Sequence, residues 1–197
     1  MKRSIILLCS MFLIAAGAVA QTTWQVDDVH SNVRFSVSHL IISEVEGSFK
    51  VYNGTLATMG QDLTGSKVDF TVDVSSINTG NAMRDTHLKS DDFFNADRFP
   101  AMSFKSATWK KLDEKTYELS GDLTIRDVMK RVTFTVVYGG TIKDPWGNTK
   151  AGFKATTTIN RFEYGLKWNT LTEAGGATVG KDVQITLNLE FTEVKAS

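Results

Sequence analysis

The sequence predicts an all-β fold of eight antiparallel strands, broken once by a short helical insertion around residues 81–97. Two observations carry that expectation. From Trp24 onward apolar and polar residues alternate in run after run, the period of a strand with one buried and one wet face. Between Asn81 and Asp97 the alternation stops, candidate capping residues precede the break, and Pro100 ends it.

The elements follow in chain order. Residues 1–20 read as a signal peptide set apart from the folded domain at 21–197. Met1-Lys2-Arg3 is a positive start, Ser4 to Gly17 is mostly apolar, and Ala18-Val19-Ala20 offers small residues before the expected mature terminus at Gln21. The apolar run is shorter than the ~20 residues that span a bilayer, and no second such run occurs. A protein that is not integral to a membrane, and that is periplasmic or secreted after cleavage, is therefore expected. The single cysteine, Cys9, lies within this leader and follows Leu8, where a lipoprotein would carry a small residue. Cleavage leaves 177 residues without cysteine, so the domain must rest on its core. A chain of this size buries roughly 70% of its unfolded surface. Removing Lys2 and Arg3 from the 22 basic residues leaves 20 against 22 acidic ones, a formal charge near −2. No basic stripe exists to neutralise phosphates, which argues against nucleic acid.

The eight strands read as follows. Val33, Phe35, Val37 and His39 share one face. The segment from Gly47 to Met59 supplies a second strand, with Asn53-Gly54 either a hairpin turn or a bulge within it. Val68, Phe70, Val72 and Val74 form a third apolar face, and Met102 and Phe104 begin a fourth. Tyr117 to Ile125 alternates throughout, followed by Val132 to Tyr138, Ala151 to Ile159 and Val183 to Phe191. Trp24 to Asp27 is a candidate short extra strand. Eight strands with one apolar face each close into a barrel or pack as a sandwich. Closure removes exposed edges, and an eight-stranded interior is either filled by side chains or holds one small ligand.

In the helical stretch Asn78, Thr79 and Asn81 are candidate caps, and Asp85 and Lys89 are spaced to pair across one turn. Residues 160–181 are also irregular and carry Phe162, Tyr164, Leu166, Trp168 and Leu171. Both stretches read as covers for the barrel mouth.

Catalytic chemistry finds little support. There is no mature cysteine and no Gly-x-Ser-x-Gly elbow. His30 and His39 would point to opposite faces of one regular strand, and His87 lies in the helical stretch, so their spacing does not favour a metal site. His39 shares parity with Phe35 and Val37; inside an apolar tunnel it is either a head-group contact or a side chain satisfied near the rim. Arg84, Asp85, His87 and Lys89 divide between a solvated helix face, a tie to the barrel rim and a head-group contact. Arg161 divides between a rim salt bridge and a ligand contact.

At these residues the chain resembles the YceI-like family of exported bacterial proteins associated with polyisoprenoid binding. The likeness rests on Asp27-Asp28-Val29-His30-Ser31 with Phe35, Val37, His39 and Leu40, and on Ser75 to Gly80. It continues in Arg84 to Ser90, Asp92-Phe93-Phe94, Phe99-Pro100, Gly121 to Ile125, Asn160 to Gly165 and Val179-Gly180. It implies an eight-stranded antiparallel lipocalin-like barrel whose long cavity takes an isoprenoid chain of quinone or polyprenyl type, with Asn53-Gly54 inside one strand. One block departs: Asp127-Val128-Met129-Lys130-Arg131 stands where the family has Gly-Val-Thr-Lys-Pro. Aspartate tolerates positive φ, so the turn is expected to persist. The Gly-x-Trp of true lipocalins is absent, and the likeness to them is architectural.

The expected ligand contacts are Phe35, Val37, His39, Phe70, Val72, Arg84, Leu88, Phe93, Phe104, Leu123, Phe134, Phe153, Arg161 and Trp168, with no catalytic residue, metal or cofactor. The expected partner is a lipophilic small molecule, and a homodimer stays open. Burying about ten CH₂ groups is worth roughly 8 kcal/mol gross. Two other readings remain: a barrel with a filled core serving as an interaction module, and an enzyme using His30, His39, Arg84 or Asp85 on a lipophilic substrate.

Overall fold

Alternation along the chain becomes one sheet that closes on itself. The computed structural model describes residues 21–60, 62–170 and 178–195; the expected leader and Leu171 lie outside them. The strands are β1 (Gln21–His39), β2 (Ser43–Phe49), β3 (Tyr52–Met59), β4 (Lys67–Asp73), β5 (Ile77–Asn78), β6 (Ala101–Lys111), β7 (Thr116–Ile125), β8 (Val128–Lys143), β9 (Thr149–Asn160) and β10 (Val179–Glu193). A helix, α1 (Ala82–Lys89), lies between β5 and β6. Every pairing is antiparallel, and β10 pairs with β1 to close the ring. β2 and β3 follow one another along β1, which pairs with β3 at Gln21–Gln25 and with β2 at Val33–His39. The barrel therefore has eight staves, with β5 a two-residue appendage on β2.

Trp24 to Asp27 is the opening of β1 rather than a separate strand. Between Asp27↔Glu190 and Asn32↔Asn188 the four residues Asp28 to Ser31 of β1 stand against the single residue Leu189 of β10. This bulge switches the buried face from Trp24 and Val26 to Val33, Phe35 and Val37, since a strand's faces alternate residue by residue. Asn53-Gly54 lies inside β3, paired with Thr71 and Phe70. The break in that stave falls instead at Lys50-Val51, between β2 and β3. The departing block keeps its hairpin: Ile125 pairs with Val128 across Arg126 and Asp127, both at positive φ, 51° and 59°, as a two-residue type I′ turn requires.

The helix is shorter than the 81–97 expected from the sequence. Asn81 caps α1 by accepting from the Arg84 N–H, and Ser90 ends it. Beyond that point Ser90, Asp91, Asp92 and Asn95 compete for backbone and side-chain partners. Asn95 sits at positive φ, and its side-chain amide donates to Asp91. The chain continues to Phe99 in turns, placing Phe93 and Ala96 in the core.

Outward positions in β4, β6, β7 and β9 include Asp69, Thr71, Lys105, Glu118, Asp122 and Lys154. That exterior is polar, unlike the apolar band that a membrane-spanning barrel presents to lipid. No described helix is long and apolar enough to cross a membrane.

Candidate functional site

The inward faces enclose three cavities stacked along the barrel. The central one, about 160 Å³, presents almost nothing but carbon. Phe35, Val37, Leu88 and Phe93 border both it and a mouth cavity of about 190 Å³. Phe70, Phe104 and Phe134 border both it and a cavity of about 60 Å³ at the far end. The other expected residues fall along the same line. His39, Arg84 and Trp168 line the mouth; Val72, Leu123 and Arg161 line the centre; Phe153 lines the far end. Further lining comes from Phe49, Met102, Ile125, Val183, Ile185 and Leu187. Most of these share the inward parity of residues already singled out and were legible on that ground. Phe94 and Leu166 also line the centre, but they sit in irregular segments where no periodicity marks them.

Three of the phenylalanine rings pack directly over a glycine of the wall. A Cβ added at Gly47 would come within 3.0 Å of the Phe35 ring, one at Gly54 within 3.0 Å of the Phe70 ring, and one at Gly121 within 3.0 Å of the Phe104 ring. Gly47 and Gly54 are direct cross-strand partners of Phe35 and Phe70. Glycine inside a strand weakens it and marks close approach, and here the approaching group is an aromatic ring that would otherwise project into the lumen.

At the mouth the polar groups are mostly committed to one another. Asp85 Oδ1 accepts from both the N–H and the hydroxyl of Thr79, at 2.8 and 2.6 Å. Arg84 donates through Nε to Thr79 Oγ1 and through Nη2 to the Thr79 carbonyl. Together they tie α1 to the segment after β5, and the Asp85–Lys89 pair expected from spacing is replaced by this tie. His87 Nε2 lies 2.8 Å from Asp92 Oδ2, and its ring stands edge-on to both Phe93 and Trp168 at 5.1 Å. His39, at the end of β1, shares the mouth with His87.

Arg161 lines the central cavity but does not form the rim salt bridge that was one of the two roles expected for it. It is 4% exposed, and burial lowers its pKa. Among the described residues its guanidinium meets four backbone carbonyls and no carboxylate. Nε donates to Gly180 at 2.8 Å, Nη1 to Leu166 and Trp168 at 2.6 and 2.8 Å, and Nη2 to Val179 at 3.1 Å. It organises the irregular segment around itself, directly beside the central cavity. Arg126 also ties irregular segments together and was not singled out by sequence: its Nη1 donates to the Phe93 and Gly165 carbonyls, and Nη2 pairs with Asp91 at 3.0 Å.

His30 lies away from the mouth, on the β1 bulge. Asp27, His30 and Glu190 converge there in a way that resembles a metal-ligand set. Lys150 occupies the space between the carboxylates, 2.6 Å from Asp27 and 3.1 Å from Glu190. Burial pushes the Asp27 carboxyl up, but hydrogen bonds from Lys150 and His30 outweigh it and hold the group well below the usual carboxylate range. A depressed folded-state pKa contributes stability that is present above the unfolded value of about 3.9 and lost as pH falls through the folded one. Urea unfolding is thus expected to show stability falling from about pH 5 downward, with a shallower fall in Asp27→Asn. An equal slope in the two proteins would contradict this.

A closed eight-stave antiparallel barrel around an apolar tunnel, capped at one end by a short helix, is a barrel of the lipocalin-like architectural class. The chain belongs to the YceI-like domain family, whose pattern matches residues 24–191. It is 38% identical over 171 residues to a UPF0312 protein of Staphylococcus aureus (strain bovine RF122 / ET3-1), covering 86% of this chain and 97% of that one. Among solved structures it is similar to the Campylobacter jejuni YCEI protein, at 31% identity and a TM-score of 0.68, over 80% of this chain and 90% of that one. It also shares its fold with a polyisoprenoid binding domain from Saccharophagus degradans, at 16% identity and a TM-score of 0.64, over 87% and 98% of the two chains.

Proposed function

We propose that the protein binds a long-chain lipid of isoprenoid type, with a quinone or polyprenyl tail, in the barrel tunnel, and acts as a carrier without catalysis. The observation that carries this is the tunnel itself: three cavities that share lining residues one with the next, walled mainly by carbon, with polar groups gathered at the mouth. An apolar chain gains about 0.8 kcal/mol per buried CH₂, whereas water gains nothing from a space without hydrogen-bond partners. The Saccharophagus degradans neighbour, described as polyisoprenoid binding, supports the ligand class. Arg84 and Asp85 are hydrogen-bonded to Thr79 and His87 to Asp92, a set of mutual ties that favours binding over acid–base turnover. The charged and apolar pattern of residues 1–20 supports export to the periplasm or beyond.

One observation favours a second reading, a filled barrel acting as an interaction module: Phe70, Phe104 and Phe134 stand between the central and far-end cavities. Native mass spectrometry of protein purified from its own cell envelope, with organic extraction of the bound material, separates the two. A stoichiometric isoprenoid is the expected result. Lipid-free protein that also refuses added quinones and polyprenyl lipids would leave the filled-barrel reading standing.

A further inference from the structure

The hairpin joining β1 to β2 exposes three consecutive aliphatic side chains: Leu40, Ile41 and Ile42 are 39%, 77% and 85% exposed. The turn itself does not call for them. Leu40 and Ile41 lie at φ 52° and 66°, a left-handed conformation in which glycine and asparagine are at ease and a β-branched residue is an outlier. The chain thus carries backbone strain and unburied apolar surface together, at one point. That point adjoins the tunnel entrance: the Leu40 N–H donates to the Thr178 carbonyl at 2.9 Å, and Thr178 and the preceding His39 both line the mouth cavity.

We propose that this tip is a membrane-docking element that inserts into the outer layer of a lipid bilayer and sets the tunnel mouth against it. The inference rests on the lipid-binding reading for its purpose, though not for its test. A lipid surface fits better than a protein partner on area. A stable protein interface needs about 800 Å² from each side, and a three-residue loop at the barrel rim offers no such face. A bilayer demands no complementary surface, and association with it scales with the apolar area inserted. Beside the tip, Glu44 and Glu46 of β2 and Asp182 of β10 are exposed and acidic against the exposed Lys181 of β10, so attraction to anionic lipid is not what would hold the tip. Insertion should therefore occur on uncharged bilayers and be indifferent to salt.

The experiment is flotation of the ligand-free mature protein with phosphatidylcholine vesicles, at low and high salt, against the double variant Ile41→Asn/Ile42→Ser. Asparagine suits the positive φ at position 41, so the variant is expected to keep the parent's melting temperature. A fluorescent long-chain fatty acid, titrated in the absence of vesicles, reports on the tunnel separately. The wild type is expected to float at both salt concentrations, and the variant to bind vesicles at least about tenfold more weakly per side chain removed, while both take up the fatty acid equally. Transfer of that probe from protein to vesicles should slow in parallel with vesicle binding. Equal flotation of variant and wild type, or no flotation of either, would overturn the proposal. So would flotation confined to vesicles containing phosphatidylglycerol and abolished by salt, or a wild-type dimer that the substitutions dissociate without any vesicle binding. Loss of fatty-acid uptake in both proteins with vesicle binding intact would instead count against the tunnel reading and leave the docking tip in place.

Discussion

Replacing Gly54 by alanine is expected to lower affinity for long-chain lipid by at least about tenfold while leaving the barrel folded. The three atoms nearest the new methyl group all belong to the Phe70 ring, so the ring must move, and the larger of the two spaces it borders is the central cavity of about 160 Å³. An apolar cavity of roughly 150 Å³ holds one benzene, so one displaced phenyl ring consumes most of the room. The folding cost should stay within the ordinary overpacking range of about 1–3 kcal/mol. Adding Phe70→Leu should restore uptake, because the shorter side chain clears the methyl group without entering the lumen. Gly121→Ala is the informative contrast: its methyl group would also collide with the Lys105 backbone carbonyl, which cannot rotate away, and the β6–β7 ladder itself is expected to give. Titration of a fluorescent long-chain fatty acid, alongside urea unfolding, reads all three variants. Unimpaired uptake by Gly54→Ala would show that the glycine seats do not govern the tunnel's calibre.

The largest loss of stability is expected from Arg161→Leu, about 3 kcal/mol, since breaking a buried charged network strands its partners. Four carbonyls lose their donors at once, and leucine offers them nothing. For a domain of this size the melting temperature should fall by about 6–12 °C. Arg161→Lys should recover only part of the loss, because a single ammonium cannot span carbonyls from Leu166, Trp168, Val179 and Gly180 in the way a planar guanidinium does. A loss under about 1 kcal/mol in Arg161→Leu, measured by urea unfolding, would mean the carbonyls find other partners.

These two sites differ in how far the sequence announces them. Phe70 is legible because Val68, Phe70 and Val72 alternate with Asp69, Thr71 and Asp73, and period two alone assigns a face. Gly54 is not, because next to Asn53 it reads equally as a turn; only the pairing of Gly54 with Phe70 turns it into a seat. Arg161 is visible as a charge in an irregular stretch, yet its partners are main-chain carbonyls, which carry no sequence signature. Arg126 was missed because its partners are carbonyls of Phe93 and Gly165 together with a carboxylate, Asp91, 35 residues away along the chain. The Asp27–Lys150 pair spans 123 residues along the chain, and nothing local in either segment points to the other.

Local chemistry therefore determined the strands, their inward faces, a helix cap among Asn78, Thr79 and Asn81, and the apolar character of the interior. Each of these depends on residues a few positions apart, whose side chains follow the backbone period. The tertiary structure alone decided the bulge that lets β1 serve as one stave through Trp24 and Val37, the seating of the Phe35, Phe70 and Phe104 rings over glycines, and the carbonyl cage of Arg161. It also decided that Leu40, Ile41 and Ile42 stand exposed beside the tunnel mouth. Those features arise when the barrel closes and strands distant in sequence become neighbours, so their cause lies in register and ring closure rather than in any single run of residues.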